Sequence, residues 1–248
     1  MIELIDVYKT FNNKRVLNGV SLTVKKGETF VIIGRSGTGK TVTLRHIAGL
    51  AEPDSGEVLI DGVRMDHAPM RVKDTLRQRM GVLFQSGALI NWMTVRDNVA
   101  LPLKEFKLLP EDEIEEVVSD RLHILQIADA ADKYPSEISG GMKKRAGLAR
   151  ALVRNPEIIL YDEPTSGLDP VMSSMINKLI RDTQQEYGVT SVVVSHDMRS
   201  AYEIGDRIAM LHNGTIVQCD TPDGIRYSTN PIVRQFIEGN LMGPIDVE

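Results

Sequence analysis

Three stretches of the 248-residue chain carry side chains whose types and spacing suit phosphate chemistry. The first, Gly34-Arg35-Ser36-Gly37-Thr38-Gly39-Lys40-Thr41, has two glycines separated by four residues, then lysine and a hydroxyl, which is the full phosphate-loop pattern. Glycines let the backbone curl so that successive N–H groups point at phosphate oxygens, and a following helix adds roughly half a positive charge at its amino end. Lys40 then reaches the terminal phosphates, and the Thr41 hydroxyl helps to hold Mg²⁺. Alone, the pattern indicates a nucleoside triphosphate and leaves kinases, GTPases and motors open.

The second stretch, Ile158-Ile159-Leu160-Tyr161-Asp162-Glu163, ends an apolar run on two carboxylates. Adjacent strand side chains point in different directions. Asp162 is therefore assigned to the metal side and Glu163 to the attacking water, as the candidate general base. The third, Ser195-His196-Asp197, follows Val192-Val193-Val194 and would place His196 near a γ-phosphate. By itself it is a weak signal, because a lone histidine is more often structural. His46, His67, His123 and His212 are assigned to that structural class, and no pair among the five has a zinc-binding spacing.

These stretches need elements to position them. Apolar clustering predicts strands over residues 2–7, 20–24, 30–33, 57–60, 80–84, 158–161 and 192–194. Val42, Leu44, Ile47 and Leu50 are spaced for a helix directly after the glycine-rich turn, and residues 172–187 for another. Residues 94–154 are dominated by helical patterns, and the charged stretch from Glu111 to Arg121 reads as a solvated helix face. Continuous apolar runs alternating with helices imply parallel strands and crossovers, with ligands at the carboxyl ends of the strands.

Composition narrows the function classes. With 42% hydrophobic residues the chain can bury a sizeable core, and 34 acidic against 29 basic residues give a net charge of -5, which argues against nucleic acid as a partner. The amino terminus carries Glu3 and Asp6 and lacks the basic and apolar regions of a secretion signal, so a cytoplasmic protein is expected. Apolar runs fall well short of the roughly 20 residues of a membrane-spanning helix. Cys219 is a lone cysteine expected to be buried, consistent with a reducing compartment. Terminal fraying is expected from Asn240 onward.

Ile138-Ser139-Gly140-Gly141-Met142, between the phosphate loop and the Asp-Glu strand, resembles the LSGGQ signature of ABC ATPases. Phe11 then matches the aromatic position that stacks on adenine, Gln85 the Q-loop glutamine, Ser166-Gly167-Leu168-Asp169 the D-loop, and His196 the switch histidine. The resemblance covers nearly the whole chain. It implies an α/β P-loop NTPase core with a parallel sheet, an antiparallel β subdomain and a helical subdomain of roughly residues 86–155, all within a single domain spanning 1–248.

The resemblance further implies ATP and Mg²⁺ as ligands. ATP would meet Phe11, residues 34–42 (Gly34, Arg35, Ser36, Gly37, Thr38, Gly39, Lys40, Thr41 and Val42), Gln85, Ser139, Gly140, Gly141 and Asp169. Mg²⁺ would meet Thr41, Gln85 and Asp162, with Glu163, His196 and Lys40 catalytic. Two chains would sandwich two nucleotides, each signature capping the other chain's phosphate loop, on an integral-membrane permease docked near residues 86–105. Ile138 for leucine is a mild departure from the family pattern. Met142 for glutamine removes a polar side chain from the cap, although Ser139 and the backbone remain.

A narrower resemblance rests on Gly34-Arg35-Ser36-Gly37-Thr38-Gly39-Lys40, Phe84-Gln85-Ser86-Gly87-Ala88-Leu89, Asp97-Asn98-Val99-Ala100-Leu101-Pro102-Leu103, Ser139-Gly140-Gly141-Met142-Lys143-Lys144-Arg145 and the tail Val233-Arg234-Gln235-Phe236-Ile237-Glu238-Gly239. Together they look like the ATPases of Mla/Mce-type phospholipid transport systems. That implies a homodimer at the cytoplasmic face of the inner membrane, peripheral to its permease, with an Mce-domain protein and a STAS-domain subunit as further partners and phospholipid as cargo. An importer for a polar solute is the alternative within transport. A soluble ABC protein of DNA repair or translation is the alternative outside it.

Overall fold

The computed structural model of the chain describes residues 1–106 and 109–246. Its strands are β1 (Ile2–Phe11), β2 (Lys14–Val24), β3 (Thr29–Ile33), β4 (Ser55–Ile60), β5 (Val63–Arg64), β6 (Met80–Leu83), β7 (Ile158–Asp162), β8 (Thr190–Ser195), β9 (Arg207–His212) and β10 (Thr215–Asp220). Its helices are α1 (Lys40–Ile47), α2 (Met70–Gln78), α3 (Val95–Glu105), α4 (Glu111–Ile124), α5 (Gly140–Leu152), α6 (Pro170–Tyr187), α7 (Met198–Ile204), α8 (Pro222–Arg226) and α9 (Pro231–Glu238).

Two sheets form. The order β2-β1-β4-β5 is antiparallel, and the order β10-β9-β3-β8-β7-β6 is parallel except at β10. The first two strands run further than apolar clustering suggests, because Asn12 and Asn13 take the left-handed backbone of a tight hairpin and carry the pairing out to Phe11 and Lys14.

Alternation along the parallel strands divides the interior. Val31 and Ile33 of β3, Ile159 and Tyr161 of β7 and Val193 of β8 face a core shared with α3 to α7. Phe30, Ile32, Ile158, Leu160, Val192 and Val194 face a second core closed by α1 and the antiparallel sheet. Burial on both faces is why these strands read as unbroken apolar runs. On α4, Ile114, Val118 and Leu122 turn inward while Glu111, Asp112, Glu113, Glu115 and Glu116 face solvent.

Two expectations are corrected. Cys219 is exposed, because it lies on β10 at the sheet edge, where an Arg207 guanidinium N–H donates to its sulfur at 3.2 Å. The segment after Asn240 is tied back to the fold at Ile245, while Leu241 and Met242 stay exposed. The buried Gln235 amide donates to the Ile245 carbonyl at 3.0 Å and accepts from the Ile245 N–H at 2.6 Å, and the Ile245 side chain is itself buried. Residues 247 and 248, included in the fraying expectation, lie outside the described residues.

The loop after β6 is pinned by one side chain. Buried Asn98 of α3 accepts from the Ile90 N–H at 2.7 Å and donates to the carbonyls of Ile90, Met93 and Thr94 at 3.1, 3.2 and 2.9 Å. Asn98→Ala strips these partners from a buried turn, so equilibrium urea unfolding is expected to register a loss of about 2–3 kcal/mol. A loss below about 0.5 kcal/mol would mean water replaces the amide there.

Candidate functional site

Strand register builds the site. Ile33 of β3 lies beside Ser195 of β8, and Val194 lies beside Asp162 of β7, so the chain leaves all three strands at one edge of the sheet. Gly34, Glu163 and His196 are therefore neighbours despite their separation in sequence. Gly34 has φ +152° and an added Cβ would stand 2.4 Å from the Leu211 carbonyl, so the loop can leave β3 here only without a side chain. Gly39, at φ +107°, is pressed against Leu17 and Val16 where it caps α1.

One cavity of about 410 Å³ is lined by Val16, Ser36, Gly37, Gly39, Lys40, Thr41, Val42, Gln85, Glu163 and His196. Lys40 Nζ donates to the carbonyls of Gly34 at 2.7 Å and Arg35 at 3.0 Å and lies 3.5 Å from Glu163 Oε1. Burial lowers the pKa of its ammonium, and the Glu163 carboxylate opposes the shift. Glu163 Oε2 meets His196 Nδ1 at 2.8 Å, so the carboxylate sits between a cation and an imidazole. Glu163 itself adopts a left-handed backbone, φ +50°, which is strained for a non-glycine residue and turns the chain sharply at the end of β7.

Thr41 Oγ1 donates to Asp162 Oδ1 at 2.9 Å. Burial raises the Asp162 pKa, and this hydroxyl opposes the shift. A hydroxyl and a carboxylate, both oxygen donors beside a phosphate loop, suit Mg²⁺, which takes one or two carboxylates and completes its shell with water and substrate phosphates. Among the described residues no group of three or more His, Cys, Asp and Glu is placed to hold a metal ion. Gln85 Nε2 donates to Ser166 Oγ at 3.4 Å, joining the loop after β6 to the loop before α6.

Other expected residues lie elsewhere. Arg35 and Thr38 line an adjoining cavity of about 330 Å³ with His212, Asn213 and Gly214, and the Arg35 guanidinium donates to the Asp246 carbonyl. Phe11 is exposed at the end of β1, with Lys9 Nζ 5.3 Å from its ring centre, and lies outside the lining of both cavities. Ser139 caps α5, its hydroxyl accepting from the Met142 N–H at 3.3 Å, while Gly140 and Gly141 form the first turn. Asp169 caps α6 by accepting from Val171 and Met172. Neither cap lines the phosphate-loop cavity of its own chain. Met142 packs against the apolar core, which accounts for an apolar residue there.

Val16 and His212 were missed as lining residues. Val16 is an ordinary apolar strand residue without a chemical signature, and His212 joins the loop only because β9 pairs with β3.

The ABC transporter family model matches residues 17–166. The probable ribonucleotide transport ATP-binding protein mkl of Mycobacterium tuberculosis is 41% identical over 98% of this chain and 68% of its own length. The intermembrane phospholipid transport system ATP-binding protein MlaF of Escherichia coli is 40% identical over 99% of this chain and 91% of its own. The methionine import ATP-binding protein MetN of Carboxydothermus hydrogenoformans is 41% identical over 96% and 71%. Among solved structures, the dimeric post-hydrolysis cassette MJ0796 bound to ADP and Pi matches with a TM-score of 0.84 and 34% identity, covering 90% of this chain and 99% of that one. With its phosphate loop, paired carboxylates and switch-position histidine gathered on one sheet edge, this chain belongs to the ABC transporter family and is an ATPase of that family.

Proposed function

We propose that two copies of this chain power a transporter that moves phospholipid between the membranes of a bacterial envelope. The observation that carries the lipid reading is the similarity to MlaF, which extends across nearly all of both chains. The comparable identity to MetN favours one second reading, an importer of a polar solute.

In each copy the amide groups of residues 34–41 and Lys40 hold the phosphates, with Val16 and Phe11 on the side of the base. Thr41, Asp162 and Gln85 would hold Mg²⁺, which would neutralise charge on the β- and γ-phosphates. Glu163 Oε1 takes a proton from the attacking water, while His196 fixes Oε2 and thereby the orientation of the carboxylate. Ser139 and Gly140 are exposed at the start of α5 and turned to a second chain, whose nucleotide they cap from the far side. Neither site is complete until the two chains close, which ties hydrolysis to movement of whatever the chains are docked on.

The docking surface is the groove of Met80, Val82, Phe84, Ile90, Leu101 and Pro102, edged by Arg150 and Arg154. Trp92, 82% exposed, lies on the loop that Asn98 holds, between Ile90 of this groove and Met93. A short helix of the permease fits such an apolar, cation-edged groove. In this reading residues 86–155 move as the permease-facing part of a single cassette at the cytoplasmic face of the inner membrane. An Mce-domain protein and a STAS-domain subunit complete the assembly. Among the described residues no helix is long and apolar enough to cross a membrane.

Gentle extraction of the tagged chain from its native membrane, followed by mass spectrometry of bound proteins and lipids, tests the cargo. Co-purification of a permease, an Mce-domain protein and enriched phospholipid is expected. A permease with a solute-binding protein would replace the cargo with a polar solute. In the purified complex, Lys40→Ala is expected to abolish measurable MgATP binding. Glu163→Gln should bind MgATP normally and turn over about 1,000-fold more slowly, equivalent to about 4 kcal/mol of transition-state stabilisation. Retained turnover in Glu163→Gln would remove that residue from the role of base. Trp92→Ala should leave MgATP affinity unchanged and lower the yield of permease recovered with the tagged chain, and full recovery would place the docking surface elsewhere.

A further inference from the structure

Lys144 lies on α5, the helix that Ser139 caps, and is only 5% exposed. Its Nζ leaves the helix and donates to two backbone carbonyls, that of Glu163 at 3.3 Å and that of Ser166 at 2.5 Å. Those carbonyls bound the turn that leads from the catalytic carboxylate into the loop before α6, a turn closed by the Ser166 N–H donating to the Glu163 carbonyl at 3.2 Å. A cation in that position stabilises the outward carbonyl of a residue held in a left-handed conformation. Burial lowers the ammonium pKa to about 8, opposed by the Glu163 carboxylate, so the chain bears a desolvation cost to keep a lysine here.

The same helix is seated tightly on the neighbouring elements. A Cβ on Gly141 would come within 3.1 Å of Met172 and 3.8 Å of Leu168, and one on Gly87 would come within 2.6 Å of the Lys143 carbonyl. These short gaps tie α5 to the loop after β6 and to the segment around Leu168 and Met172, and Lys144 ties it to the backbone of Glu163.

We propose that Lys144 is a positioning residue that converts the seating of α5 into the placement of the Glu163 carboxylate. It rests on the reading that a second copy's nucleotide seats α5 through Ser139. Under that reading, Lys144 links the nucleotide capped by α5 to the base acting on the chain's own nucleotide. This makes the two sites of the pair interdependent.

The test uses the assembled transporter, with ATP turnover measured against ATP concentration and nucleotide affinity measured separately with a fluorescent ATP analogue. Lys144→Met keeps the length and burial of the side chain and removes the N–H donors. It is expected to lower kcat by about tenfold or more while KM and analogue affinity stay within about twofold. Lys144→Gln restores a donor without a charge and should recover part of the lost kcat at equal thermal stability. Unchanged kcat in Lys144→Met overturns the proposal. So does a Lys144→Gln variant no better than Lys144→Met, or a parallel loss of affinity and stability, since each leaves only a structural role. Pairing is read independently, as MgATP-dependent association of Glu163→Gln chains that retain Lys144. Absence of that association overturns the two-copy reading, whereas association with unchanged kcat in Lys144→Met overturns the role of Lys144 alone.

Discussion

The site depends on keeping one carboxylate, Glu163, in a backbone conformation it would not choose. A left-handed φ on a non-glycine residue costs on the order of 1–3 kcal/mol and persists only where neighbours overdetermine it. Here the Glu163 N–H donates to the Val194 carbonyl at 2.9 Å, continuing the β7–β8 pairing one residue past the strand. Its carbonyl accepts from Ser166 and Lys144, and its two carboxylate oxygens face Lys40 and His196. Lys40 follows β3, Val194 and His196 stand at the end of β8, and Lys144 comes from α5, so the carboxylate is aimed only once β3, β7, β8 and α5 are all in place.

The parallel sheet makes that possible by being buried on both faces. Odd and even positions of β3, β7 and β8 enter different cores, so neither core can relax without moving the strand ends that carry Gly34, Glu163 and His196. Close approach replaces side-chain packing where the loops meet the helices. A Cβ on Gly147 would stand 2.9 Å from Leu83 and 3.0 Å from the Gly87 backbone, and one on Gly34 would strike β9. Such gaps leave little room for independent movement of the loop after β6 and the helix that begins at Gly140.

How much of this the sequence discloses follows from the range of the interactions. The phosphate loop, Asp162-Glu163 and His196 are legible because local spacing and a preceding apolar run carry their chemistry. The parallel core is legible for the same reason. Val16 is silent as a sequence feature and enters the cavity through the β1–β2 hairpin, whose length depends on the left-handed Asn12 and Asn13. Lys144 reads as one cation in a basic helix until the fold points it inward at Glu163. Cys219 carries no sequence signal for exposure and is exposed because β10 is an edge strand. Residues 240–246 lacked a sequence signal for order, since their anchor is the buried amide of Gln235.

Ser139 and Gly140 cap α5 at the surface and stay outside the cavity that Lys40 and Glu163 line, so in the proposed function a second chain completes each site. Cross-linking tests that arrangement most directly. One set of chains carries Asn213→Cys beside the phosphate loop and another carries Ser139→Cys, both with Cys219→Ser and Glu163→Gln, and the mixture is treated with a short bis-maleimide. A cross-chain product that forms with MgATP and is lost without it is expected. Chains that bind MgATP and associate yet give no such product would contradict the two-chain site, because the phosphate loop and the signature would then never meet across two copies.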